Sequence, residues 1–503
     1  MSFSADPAGQ RDSRQAITAA ITRAAESGGG TLYFPAGTYR ISPHPRGIEI
    51  DSPDIVLRGA GTSATTLFFE APRSRLRKDF GNGLYFRAAG GGVADMRILG
   101  DKENFDDEWP NGQGYAGIMI RGERCHVRHV HVAEWPGSGV RIEGRKAASP
   151  LADIVITDCQ ALDCGRPRHR PGVEHGDGFT SACADVTFTR CRTVDSQTGQ
   201  PRDKKCMRGG FVHASHEGRA IIRDCQSIGP HRSIHLEPIP WRATIEGFYG
   251  TDARNGIILF AGDKNRESHV DGRDLVFEGC GRKPADGAIH TGVAHGLNLD
   301  LSRVRTVKSR GADSYLHKQG KAPSLVRLTD FDFDANVRSA AGLVDQIDLR
   351  DGIVRGRVSI SRISRVAAEN VQFLNTITGR DAAPKAADRG YRFVQCRFVG
   401  DGERPVGGRG NLTLNIPLVV FDRCAFVLGG RHDLPFLQLA GDANVDVLDS
   451  LFDARDTLPT IALDVRDAVL LRMNGGSRWA GRTNHPFRYA TAGSARVIFD
   501  ATR

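Results

Sequence analysis

A chain of 503 residues could build two or more ordinary domains, but 59 glycines and only 7% aromatic residues argue for many short turns rather than one large aromatic core. The formal charge of +9 favours an anionic partner, and the arginines are spread along the whole chain with no lysine block or basic tail, which argues against nucleic acid in that role and leaves an acidic sugar. No apolar run approaches the ~20 residues of a membrane-spanning helix, and the start lacks a basic-then-apolar leader, so the expected location is cytoplasmic or exported without a visible signal.

In chain order, the first element is a short helix. Asp12 or Ser13 can cap it through a side-chain oxygen, Ile17, Ile21 and Ala24 form one apolar stripe, and Gly28-Gly29-Gly30 ends it. The strand Thr31-Leu32-Tyr33-Phe34 and the turn Pro35-Ala36-Gly37-Thr38-Tyr39 follow. This order resembles the N-terminal cap of the pectate-lyase-like superfamily of right-handed parallel β-helices. The resemblance implies a solenoid whose open end is covered by the helix, and a protein that handles polysaccharides.

Beyond Asp51 short apolar strands recur with an irregular period of roughly 22 to 35 residues, as in a solenoid. One strand per repeat aligns: Ser138-Gly139-Val140-Arg141-Ile142-Glu143, then Asp177-Gly178-Phe179-Thr180-Ser181-Ala182, Gly209-Gly210-Phe211-Val212-His213-Ala214, Arg232-Ser233-Ile234-His235-Leu236-Glu237 and Asn255-Gly256-Ile257-Ile258-Leu259-Phe260. Period-two alternation puts Arg141, Thr180, Val212, His235 and Ile258 in one outward column and Glu143, Ala182, Ala214, Glu237 and Phe260 in another. A second strand ends in cysteine at Cys159, Cys191 and Cys225, with looser copies before Cys280, Cys396 and Cys424. Stacked ~4.8 Å apart, these are read as buried free thiols, and no C-x-x-C pair suggests a metal site. The expectation is an all-β fold over residues 1–503: one right-handed parallel β-helix with a capping α-helix in residues 1–40, about a dozen rungs, and long loops near 73–113 and 308–322.

Polar density peaks between His169 and Lys264. Two carboxylates stand out there, Asp177 and Glu237, two rungs or ~9.6 Å apart by stacking. Inverting glycosidases hold their acid and base ~6.5 to 9.5 Å apart, so the pair is compatible with hydrolysis. A turn cap for Asp177 and an ion pair for Glu237 are the plain structural alternatives. The stretch also resembles polygalacturonase rungs. His175-Gly176-Asp177-Gly178 falls where that family has Asn-Thr-Asp-Gly, and Pro230-His231-Arg232 falls at its Gly-His-Gly turn. The resemblance carries over Asp177 and His231 alone, because Arg208-Gly209-Gly210-Phe211 stands where the family has paired aspartates, and Ile258 and Phe260 where it has arginine and lysine. Pro230-His231-Arg232 also echoes the Asp-Pro-His motif of β-helix alginate epimerases, with Gly229 in place of the aspartate.

The catalytic candidates are therefore Asp177, Glu237, His235 and His231, and the substrate-binding candidates His175, Lys205, Arg208, His213, Arg232 and Asp263. Hydrolysis of glycosidic bonds in a poly- or oligosaccharide is the favoured expectation. Its rival is a lyase or C5 epimerase acting on a uronate polymer, with His235, His213 or a lysine as base and Arg208 and Arg232 clamping a carboxylate. No cofactor is expected for hydrolysis, whereas Ca²⁺ would suit a lyase. A trimeric tailspike-like glycan-binding protein and an intracellular isomerase or cyclase are further alternatives.

Overall fold

The computed structural model describes the chain outside residues 1–3, 45–46, 72–80, 105–114, 145–149, 166–175, 183, 197–206, 215–217, 238–241, 260–267, 282–286, 292–295, 310–311, 317–324, 335, 340–344, 361–362, 364, 381–389, 401–411, 428–436, 440–442, 454–462, 466–468, 475, 481–488, 492–495 and 500–503. Helix α1 (Arg14–Glu26) buries Ile17, Ala20 and Ile21 against the first strands. Asp12 supplies its side-chain cap, accepting the Arg14 N–H at 3.0 Å, while Ser13 makes no such bond and instead accepts from the Asp6 N–H. Asp12 also accepts from the Ser42 N–H and hydroxyl, which ties the helix start to the following strand and explains why the carboxylate wins the role. At the other end the N–H groups of Gly28 and Gly29 reach the Ala25 and Ala24 carbonyls, with Gly28 at φ 82°, so the glycine run stops the helix as expected.

Two compact units follow one another, Met1–Val270 and Asp271–Arg503. Both are parallel β-helix. In the first unit the sheet that matters here is built from β1 (Ile48–Ile50), β2 (Leu84–Phe86), β3 (Ala116–Ile120), β4 (Ser138–Glu143), β5 (Asp177–Ala182), β6 (Gly209–His213), β7 (Arg232–Leu236) and β8 (Asn255–Leu259). Each pairs in parallel with the next. β2 and the strand Gly92–Gly100 lie inside the 73–113 stretch expected to be loop, and the strand Ala312–Leu316 lies inside 308–322. Both stretches contribute rungs, because short apolar segments such as Leu84-Tyr85-Phe86 pair once a neighbouring strand is present.

Register fixes which side chains face out. Tyr85, Met119, Arg141, Thr180, Val212, His235 and Ile258 form one row across β2 to β8. The inward row carries Val140, Phe179, Phe211, Ile234 and Ile257, with Phe179 and Phe211 stacked at 5.3 Å. After β5 the rung closes through Ala184–Thr189 and Arg192–Val194, and Cys191 sits at the corner between them. The Cys191 N–H points at the Cys225 sulfur of the next rung (3.4 Å), so the corner thiols stack. All eight described cysteines are buried free thiols. In the second unit the same logic builds an internal aromatic column, Phe373–Phe398–Phe426–Phe452, with successive centroids 5.4, 5.2 and 4.4 Å apart.

Candidate functional site

Asp177 opens β5, Arg208 immediately precedes β6 and Arg232 opens β7, while His235 lies within β7 and Glu237 just past its end. Asp177 is 3% exposed. Its carboxylate accepts both Nε (2.9 Å) and Nη2 (2.8 Å) of Arg208, the Gly209 N–H (3.0 Å) and the Thr180 hydroxyl (3.0 Å). Burial alone would raise its pKa. The adjacent Arg208 charge and hydrogen bonds, helped by His235 and Thr180, outweigh burial and hold it below the usual carboxylate value. Position 209 suits this arrangement as glycine, since the Asp177 carboxylate lies 3.1 Å from where a Cβ would stand.

Arg208 presents its remaining edge to Glu237, with Nη1 3.5 Å from Oε1. The other Glu237 oxygen lies 3.0 Å from His235 Nε2. Arg232 Nη1 lies 3.2 Å from Nδ1 and 3.4 Å from Nε2 of the same imidazole. The Glu237 carboxylate can only accept, so Nε2 carries a proton and donates to it. Burial first, then the charges of Arg232 and Arg208, lower the His235 pKa against the opposing pull of Glu237. Glu237 is lowered as well: burial would raise it, but the His235 hydrogen bond and the neighbouring cations prevail. At 31% side-chain exposure Glu237 is the most open of these groups, against 18% for Arg208 and 0% for His235.

Of the ten residues expected from sequence, the structure brings five into one network: Asp177, Arg208, Arg232, His235 and Glu237. His231 flanks it at the start of β7, with Nε2 3.5 Å from Arg254 Nη1. His213 does not belong to it. The residue pairs with Ser181 and Leu236 on the inward row, is 1% exposed, and has Nδ1 bonded to the Ser181 hydroxyl at 2.7 Å. Period-two alternation turns position 213 inward once Val212 faces out. His175, Lys205 and Asp263 lie outside the described residues. Arg254 is a residue that sequence reasoning passed over, although its place just before β8 matches that of His231 before β7, as the Arg254 N–H to His231 carbonyl bond records.

Burial lowers the His213 pKa to about 4. The unfolded chain then binds a proton below the ordinary value of 6.5 that the folded chain refuses down to about 4. Stability is unaffected above 6.5 and falls as pH drops through that window, by about 3 kcal/mol at its lower end. Urea unfolding at neutral and acid pH should show this loss in the parent and much less of it in His213→Gln. Equal acid loss in both proteins would remove His213 as the cause.

Among the described residues no three His, Cys, Asp or Glu side chains converge as a metal site. Among the described residues Asp177 and Glu237 do not by themselves fit a hard cation such as Ca²⁺, because Asp177 is filled by four donors and Glu237 faces a guanidinium and an N–H.

Residues 1–75 match the family model described as rhamnogalacturonase A/epimerase, pectate lyase-like. A mannuronan C5-epimerase of Azotobacter vinelandii is 32% identical over 137 residues, which is 24% of this chain and 7% of that protein. Alginate lyase 7 of the same organism is 30% identical over 146 residues, 25% of this chain and 16% of the lyase. The chain thus spans a small part of these curated relatives. Among solved structures, bacteriophage phi29 gene product 12 in its pre-mature form is similar with a TM-score of 0.49 and 14% identity, over 99% of this chain and 72% of that one. The N-terminal match and the parallel rungs fit the pectate-lyase-like superfamily of parallel β-helix proteins.

Proposed function

We propose that the protein is a carbohydrate-active enzyme that acts on a uronate-containing polysaccharide by removing the C5 proton, leading to β-elimination or epimerisation. The observation that carries this reading is geometric: one guanidinium, that of Arg208, bridges the Asp177 and Glu237 carboxylates. Both carboxylates are held low by cations, and neither has the raised pKa that a hydrolase needs in its proton donor. A carboxyl group with four donors, as Asp177 has, is suited to positioning Arg208 rather than to exchanging protons.

Glu237 is then the group that touches substrate. Its contact with Arg208 Nη1, at 3.5 Å, is the longest in the network and the easiest to exchange. A substrate carboxylate that takes over this guanidinium edge is neutralised, which acidifies its C5–H bond, and at the same moment Glu237 loses a cation and becomes a stronger base. Glu237 accepts the C5 proton while His235 Nε2–H stays bonded to its other oxygen. In elimination the C5 electron pair forms the C4–C5 double bond, the C4–O bond breaks and the leaving oxygen takes a proton from water, while Glu237 returns its proton to solvent. In epimerisation water supplies a proton to C5 from the opposite face and Glu237 again releases its own to solvent. The curated relatives, named as a mannuronan C5-epimerase and an alginate lyase, support this chemistry over short alignments.

The test is incubation of the protein with mannuronan and with polygalacturonate. The ultraviolet absorbance of a new double bond and exchange of C5 hydrogen for solvent deuterium are followed alongside reducing ends. Absorbance or C5 exchange supports the reading. Reducing ends without either would return the site to hydrolysis.

A further inference from the structure

The outward rows that carry Thr180, His235 and Glu237 continue away from the site to a second cluster on β2 to β4. Tyr85 stands on the His235 row, half-buried. The guanidinium carbons of Arg87 and Arg121 each lie 5.7 Å from its ring centroid. Glu143 holds Arg121 at 2.7 Å and Arg141 at 3.8 Å. Between Glu143 and Glu237 the next outward row carries only Ala182 and Ala214. Two charged ends with small side chains between them therefore lie along one line of the sheet.

We infer that this cluster is a distal sugar subsite of the same substrate chain, built around Tyr85, Arg121 and Glu143; it rests on the polysaccharide reading above. The chemistry suits a sugar ring. An aromatic face packs against axial C–H bonds, while adjoining guanidinium and carboxylate groups pair with vicinal hydroxyls or a ring carboxylate. Arg121 is already fixed by Glu143 and by the ring, so little side-chain freedom remains to be lost when a ligand arrives. Tyr85 and His235 are five strand spacings apart, ~24 Å. A trimer seated at Glu237 falls short of Tyr85, whereas an octamer reaches it.

The experiment is calorimetric titration with oligouronates of three and eight units, using the parent protein, Tyr85→Ala and Tyr85→Phe, each checked for an unchanged melting temperature. The parent should bind the octamer at least about tenfold more tightly than the trimer. Tyr85→Ala should lose most of that ratio, and Tyr85→Phe, which keeps the ring, should retain it. Glu143→Gln gives a second route to the same loss through Arg121 should the alanine variant fold poorly. An equal ratio in parent and folded variants, or no octamer advantage in the parent, overturns the subsite. An octamer advantage that depends on Tyr85, with no C5 chemistry on any polymer, keeps the subsite and overturns the proposed reaction instead.

Discussion

Arg208→Ala is expected to destabilise the protein by about 3 to 5 kcal/mol at neutral pH and to abolish turnover, because it leaves the Asp177 carboxylate charged, buried and without its main partner. The pH dependence separates this cause from loss of packing. In the parent, Asp177 has a depressed pKa, so its contribution to stability is present above the ordinary value of 3.8 and is lost as pH falls below it. Without Arg208 burial dominates, the pKa rises, and protonation relieves the strain. The stability gap between parent and variant should therefore narrow on acidification. Asp177→Asn added to Arg208→Ala should recover part of the loss in urea unfolding but none of the activity. A gap that stays constant with pH, with no recovery in the double variant, would show that the ion pair is not the source.

Glu237→Gln should leave folding almost intact and lower kcat by roughly 10²- to 10⁴-fold, the range typical of a general base. Its partial exposure means that little buried structure depends on its charge. Glutamine keeps the size and can still accept the His235 N–H, so the change isolates basicity. Glu237→Asp should fall between glutamine and the parent, because it shortens the reach but retains the carboxylate. Steady-state kinetics on the polymer that proves to be the substrate would decide. Activity within tenfold of the parent in Glu237→Gln would move the base elsewhere, with His231, beside Arg254, next in line.

Much of this arrangement can be read from alternating residues alone. The outward row Arg141, Thr180, Val212, His235 follows from glycine positions and period two, and the observed register reproduces it strand by strand. The same alternation also points His213 inward, a placement that its side-chain type alone does not reveal. The shared guanidinium of Arg208 was beyond sequence reasoning, since Arg208 precedes β6 and its direction is set by the turn. Spacing gave an Asp177–Glu237 separation without revealing that one arginine bridges them. Apolar content that is thin per segment hid β2, which becomes a strand only through its neighbours β1 and β3.

The stacked thiols make the protein its own unfolding gauge. Burial pushes the Cys164 thiol up to about 12 and Cys125 to about 11, and the stacked thiols are likewise buried away from reagent while the rungs are closed. Alkylation of these sulfurs requires the solenoid to open. Cys159, Cys191 and Cys225 lie in the first unit and Cys396 and Cys424 in the second. Peptide mapping after a brief pulse of alkylating reagent during denaturation would thus record, rung by rung, where a chain of stacked repeats begins to come apart.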